Sequence, residues 1–291
     1  MISRIVLTMT AGALLAGVTG CGDEATPPGT KRVVAAFYPL AYAAEQVGGT
    51  GVSVRNLTPA GAEPHDLELT AGDARDLADA DLVVYLGEGF MPALQAAVAN
   101  RDGASLDLLS GQRLAQGKDE GGELVHDPHV WLDPVRYARM VKVVGKALGQ
   151  QQAATSLAAR LDDLDAELRQ GLKTCTRRQI VTSHAAFGYL AQRYGIQQVP
   201  LEGVSPEAEP SARAIEQLVR LVRRSGVTTV FFETLVSPKL AQTVAREAGV
   251  ETAVLNPLEG LTADQVAAGS DYFSVMRANL AALRRALGCS S

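Results

Sequence analysis

Apolar and polar positions follow two rhythms along this chain. Short β-branched or apolar runs, "RVVAAF" (32–37), "VSVRNL" (52–57), "DLVVYL" (81–86) and "ASLDLL" (104–109), have the length and composition of strands. Between them "PLAYAAEQVGG", "TAGDARDLADA" and "MPALQAAVAN" read as helices, the second with Thr70 placed to cap it and Asp73 three residues on as a capping-box partner. From Gln151 the rhythm lengthens: leucines at 157, 161, 164, 168 and 172 form one helical stripe, which predicts packing against the rest of the fold. After Cys175 the alternation resumes, with strands predicted over 179–183, 196–201, 228–233 and 251–256. Helices are predicted in "HAAFGYLAQRYG", "SARAIEQLVRLVRRSG" and "SPKLAQTVAREAG", and a last helix, "DYFSVMRANLAALRRAL", follows.

Strand–helix alternation on this scale predicts an α/β fold of two doubly wound parallel-sheet domains joined by one long helix. The expected boundaries are an N-terminal α/β domain over 32–133, a connecting helical region over 134–174 opened by Pro134, and a C-terminal α/β domain over 175–291. No sequence repeat relates the halves, only a repeat of architecture.

The first 31 residues stand outside that rhythm. Arg4, an apolar run too short to span a bilayer, and small residues leading to Cys21 ("VTGC") have the order of a secretory signal peptide over 1–20. The cysteine in that position resembles the lipobox of bacterial lipoproteins, which implies lipidation of Cys21 and anchoring at the outer face of the cytoplasmic membrane. Residues 21–31, rich in Gly, Pro and polar side chains, read as a tether. Cys175 and Cys289 then remain in an exported, disulfide-permissive setting, where a bridge is expected and two free buried thiols are the alternative.

Composition narrows the function. The chain has 291 residues, 47% of them apolar, and a formal net charge of −5, which leaves no basic footprint for nucleic acid. HExxH, CxxC and GxSxG motifs are all missing. The four histidines are His65, His126, His129 and His184. His65 lies in the loop after the second strand, His184 follows "QIVTS", and Glu259 follows "ETAVLN". Ligands of open parallel sheets bind beyond the carboxyl ends of strands, so these side chains converge on a cleft between the halves, within reach of His129. Three imidazoles and a carboxylate suit zinc, with copper and nickel not excluded by affinity order.

The segments "TPAGAEPHDLELT", "DPHVWLDP", "TSHAAFGYLAQRYG", "GVSPEAEPSA", "FFETLVSPKLA" and "LNPLEGLT", in order over nearly all of the mature chain, resemble the substrate-binding lipoproteins of zinc and manganese ABC importers, the ZnuA-like group. The resemblance implies two α/β domains with a metal held between them. It implies His65, His129 and His184 as ligands, the third histidine marking zinc-type members, and Glu259 as the fourth because the chain reads NPLE. Asn256 stands where many relatives carry aspartate. The long histidine-rich loop of zinc-type relatives is reduced here to "SGQRLAQGKDEGGELVH", which retains only His126.

Glu63 is an alternate ligand or an orienting group. Asp66, Asp127 and Asp133 are ring N–H acceptors or helix caps, Glu233 is structural, and Trp131 is core. The implied function is a monomeric, non-enzymatic zinc receptor serving an ABC permease. A manganese receptor, a metal-dependent surface adhesin and, less favoured, a zinc hydrolase are the alternatives. A hydrolase keeps one coordination position open for water, whereas four protein ligands fill a tetrahedron.

Overall fold

A computed structural model of the chain describes residues 29–119, 122–205 and 211–290; the expected signal peptide, Cys21 and the tether up to residue 28 lie outside the described residues. The first half runs β1 (Lys31–Ala35), α1 (Tyr38–Gly48), β2 (Val52–Asn56), α2 (Ala71–Asp79), β3 (Leu82–Tyr85), α3 (Pro92–Ala99) and β4 (Ala104–Asp107). A hairpin of β5 (Gln116–Lys118) and β6 (Leu124–His126) follows, then α4 (Pro134–Leu148) and α5 (Gln151–Gly171). The second half runs β7 (Gln179–Thr182), α6 (Gly188–Tyr194), β8 (Gln197–Pro200), α7 (Ala212–Ser225), β9 (Thr229–Phe232), α8 (Lys239–Ala248), β10 (Glu251–Val254), α9 (Ala263–Ala267) and α10 (Tyr272–Leu287).

Both four-stranded sheets are parallel, ordered β2-β1-β3-β4 and β10-β9-β7-β8. Counting strands from one within each half, both sheets read 2-1-3-4, so the repeat of architecture is a repeat of topology. Each sheet therefore has its switch point between its first and third strands, where such folds open a crevice beyond the strand ends. The predicted box on α2 is present in full: the Thr70 hydroxyl accepts from the Asp73 N–H, and the Asp73 carboxylate accepts from the Thr70 N–H. The leucine stripe of α5 is buried along its whole length, and α5 packs on α1, α4 and α10. Cys175 and Cys289 form the expected bridge, tying the segment after α5 to the second residue beyond α10.

Four details depart from the sequence pattern, each for a local reason. The connecting region is two helices, because Gly149 takes a left-handed φ of 76° and caps α4. The helix expected from His184 begins only at Gly188. Thr182 Oγ1 and Gln198 Nε2 donate to the His184 carbonyl, so that carbonyl is engaged outside any helical ladder. β4 ends at Asp107, whose carboxylate accepts from the Gly87 and Leu109 N–H groups and turns the chain. The shortened loop that retains His126 forms the β5–β6 hairpin.

Candidate metal centre

Each candidate ligand sits on a short, locally braced segment. His65 lies in a 3-10 turn, Pro64–Asp66, where Glu63 Oε1 accepts from the His65 N–H at 3.3 Å. His129 precedes a second such turn, Val130–Leu132, and Asp127 Oδ1 accepts from both its backbone N–H (2.9 Å) and its ring Nδ1 (2.8 Å). His184 follows β7, and Glu233, at the end of the adjacent strand β9, accepts from its Nδ1 at 2.6 Å and also from the Ser183 hydroxyl. Glu259 follows β10 on the turn Asn256–Pro257–Leu258, where Leu258 holds a left-handed φ of 59°.

These four side chains meet. One ligand atom from each of His65, His129, His184 and Glu259 lies within 4.8 Å of the others. Glu259 Oε1 stands 2.9 Å from His129 Nε2 and 3.4 Å from the Nε2 atoms of His65 and His184, and the two Nε2 atoms of His129 and His184 are 3.3 Å apart. Donors about 2.0–2.1 Å from a tetrahedral zinc stand roughly 3.3 Å from one another, so these edges have the size of a zinc polyhedron. His129, His184 and Glu259 are fully buried, and the Phe90 ring closes edge-on over His65 at 4.6 Å.

Chemistry assigns the lone pairs. The Nδ1–H groups of His129 and His184 are committed to Asp127 and Glu233, which leaves each Nε2 as the metal-facing atom. Three Nε2 atoms and a carboxylate oxygen then converge with too few protons to pair them all. His65 Nε2, Glu259 Oε2, Glu63 Oε2 and Glu233 Oε2 are buried without a hydrogen-bond partner. Buried polar groups this close and this poorly paired form a donor set that can hold a cation.

The electrostatics of the cluster favour added positive charge. Burial alone would depress His184 and His129, but the carboxylates of Glu233, Glu259 and Asp127 outweigh it and raise both, His184 well above its ordinary value. Burial alone would raise Glu259, but His184 and His129 outweigh it and hold the carboxyl well below its ordinary value. Burial, then the Glu259 charge, pushes Glu63 up to about 9.

The remaining candidates stand outside the four. Asn256 is not free to ligate: its Oδ1 accepts from the Leu258 N–H at 2.7 Å and its Nδ2 donates to Thr234 Oγ1. His126 lies on β6, exposed, with Nδ1 2.7 Å from Glu88 Oε2, and is not one of the converging four. Asp133 caps α4 and contacts Arg193, and Asp66 is exposed. Glu233, which the sequence suggests as structural, holds the His184 ring; its place at the end of a strand adjacent to β7 was the available signal. Trp131 is buried as expected, yet its Nε1–H also donates to the Pro257 carbonyl at 2.7 Å, joining the His129 segment to the Glu259 turn. Gly188 lets α6 approach the His129 segment: a Cβ there would meet Asp127 Oδ2 at 2.8 Å.

The family model for the zinc-uptake complex component A, periplasmic (ZnuA) matches residues 33–286. The chain belongs to the ZnuA family. It is 35% identical to the high-affinity zinc uptake system protein ZnuA of Bacillus subtilis, over 93% of each chain. It is also 35% identical to the zinc-binding lipoprotein AdcA of Streptococcus pneumoniae, covering 92% of this chain but spanning 58% of that relative's length. Among solved structures, the Zn(II)-bound ZnuA-like domain of Streptococcus pneumoniae AdcA superposes with a TM-score of 0.75 at 36% identity, covering 89% of this chain and 99% of that one.

Proposed function

We propose that this chain is an extracytoplasmic zinc receptor of an ABC-type importer. It captures Zn2+ with His65, His129, His184 and Glu259 and delivers it to a membrane permease, held at the outer face of the cytoplasmic membrane by lipid on Cys21. The observation that carries the reading is the convergence of three imidazole Nε2 atoms on one buried carboxylate oxygen at 2.9–3.4 Å, with the Nδ1–H groups of two of the rings already committed elsewhere. Membership of the ZnuA family and the zinc named for its relatives support the choice of cargo.

Cargo holding rather than catalysis follows from the donor count. Four protein donors complete a tetrahedron and leave no vertex for a water nucleophile. Three imidazoles with one carboxylate favour zinc over manganese, which prefers more oxygen. Glu63, braced on the His65 N–H, is the alternate oxygen donor should the coordination number rise.

The test is a calorimetric titration of the metal-stripped, detergent-solubilised chain with zinc and with manganese, alongside His184→Ala. One tight zinc site, much weaker manganese and a large loss in the variant are expected. Equal manganese affinity or an unaffected variant overturns the ligand assignment, and hydrolysis by the zinc-loaded chain would return the hydrolase reading.

A further inference from the structure

Glu259 rests on a turn whose backbone is held at nearly every polar group, and one of the holders comes from far away in the chain. Asn279, in the middle of α10, is 2% exposed. Its Oδ1 accepts from the Asn256 N–H at 2.9 Å, and its Nδ2 donates to the Asn256 carbonyl at 2.7 Å. Asn256 lies just past the end of β10, an edge strand of its sheet. The carboxamide thus supplies a donor and an acceptor to one residue, as a neighbouring strand does in the hydrogen-bonded pair of a ladder.

The consequence runs along three residues. With its backbone clamped by Asn279, Asn256 turns its own side chain back to accept from the Leu258 N–H. Leu258 is thereby kept in the left-handed region at φ 59°, unusual for a branched side chain and fully buried here. That backbone reversal is what directs the Glu259 carboxylate at the three imidazoles. Asparagine suits the position for a specific reason: aspartate would supply acceptors only, and an apolar residue would leave two buried peptide groups unpaired.

We propose that Asn279 is a positioning residue for cation capture, setting zinc affinity through the Asn256–Glu259 turn although it does not touch the metal. The inference rests on Glu259 being a ligand, as proposed above. A purely structural Asn279 would stabilise α10 and the second half of the chain without affecting the metal any more than other buried residues of that helix.

A double-mutant cycle separates the two. In the metal-stripped, detergent-solubilised full chain, zinc affinity is measured by chelator competition for Asn279→Ala, Glu259→Ala, the double variant, and Leu283→Ala, a fully buried α10 position with no bond to the turn. Asn279→Ala is expected to weaken zinc binding about 10-fold. Leu283→Ala is expected to lower the melting temperature while leaving affinity within about 2-fold. In the Glu259→Ala background, adding Asn279→Ala is expected to cost no more than about 2-fold further, because the ligand it aims is gone. Unchanged affinity in Asn279→Ala, or a fully additive loss in the double variant, overturns the proposal. Wild-type affinity in Glu259→Ala overturns the ligand reading itself, whatever Asn279 does. Should Asn279→Ala fail to fold, Asn279→Asp, which keeps the acceptor for the Asn256 N–H, carries the same cycle.

Discussion

Replacing Trp131 with phenylalanine tests how the two ligand-bearing segments are joined. The indole is fully buried, packed edge-on against Phe37 at 4.8 Å between ring centroids and 5.2 Å from the His129 ring. Its Nε1–H is the hydrogen bond to the Pro257 carbonyl, one residue before Leu258. Phenylalanine keeps an aromatic ring but removes the donor, leaving a buried carbonyl unpaired at a cost of about 1–3 kcal/mol. The lost pyrrole ring leaves a void that adds roughly 1 kcal/mol more, a fraction of the 3–5 kcal/mol of a full Trp→Ala truncation. A total near 3 kcal/mol corresponds to a melting temperature lower by about 5 °C at this size. The assay is differential scanning calorimetry of the metal-stripped chain, followed by zinc titration calorimetry. Titration heat is the right readout because the variant removes the chain's single tryptophan and with it the fluorescence signal. Zinc binding should weaken several-fold as the Pro257 turn loosens. A wild-type melting temperature would refute the energetic reasoning, and a large thermal loss with unchanged zinc affinity would refute the coupling between the segments.

Zinc affinity should fall as pH drops, because His129 and His184, raised by their carboxylates, offer protons the same lone pairs; each displaced proton raises the apparent Kd by up to about 10-fold per pH unit, read by titration across a pH series. The metal-free fold should show the opposite sign. A histidine whose folded pKa exceeds its unfolded value adds stability that is complete below about pH 6.5 and fades as pH rises through the folded value, and Glu63, raised to about 9, acts in the same direction, so metal-free melting temperatures should decline toward alkaline pH while zinc-loaded ones do not. Reducing Cys175–Cys289, which closes a loop with a sequence separation of 114, should lower unfolding stability by about 5 kcal/mol in the chain-entropy model, measured by denaturant titration with and without reductant, while one zinc site persists.

The sequence was most legible where one residue's role depends on its neighbours in the chain. The α2 box needs only Thr70 and Asp73, and the α5 stripe needs only the leucine spacing, so both are readable from a window of a few turns. Strand-end placement also pointed His65, His184 and Glu259 at one cleft, because a doubly wound sheet fixes where strand ends point; His129 was within reach from the loop before α4, and the resemblance to the ZnuA-like group supplied the ligand set. What could not be read was long-range pairing. Glu233 pairs with His184 across 49 positions, Trp131 with Pro257 across 126, and Asn279 with Asn256 across 23 on a different element. No periodicity records such partners. The β5–β6 hairpin escaped for a different reason: three residues per strand are too few to express an alternation.

Those long-range partners bear on selectivity. Glu259 Oε1 approaches all three imidazoles, so its turn is the element on which the proposed site closes. That turn is bonded to the His129 segment through Trp131, to the His65 loop through the Gly61 N–H and the Leu261 carbonyl at 2.9 Å, and to α10 through Asn279. A cation satisfied by four donors needs no movement from it. Manganese asks for a larger, oxygen-richer shell. Glu259 Oε2 and Glu63 Oε2 are further oxygens, both buried and unpartnered. Recruiting the first means rotating a carboxylate on a turn fixed by a left-handed Leu258, and recruiting the second means moving a carboxylate whose other oxygen accepts from the His65 N–H. Both costs fall on the six-coordinate ion and neither falls on a tetrahedral one. On this reasoning the proposed site favours zinc through the turn that carries Glu259 as well as through the three imidazoles.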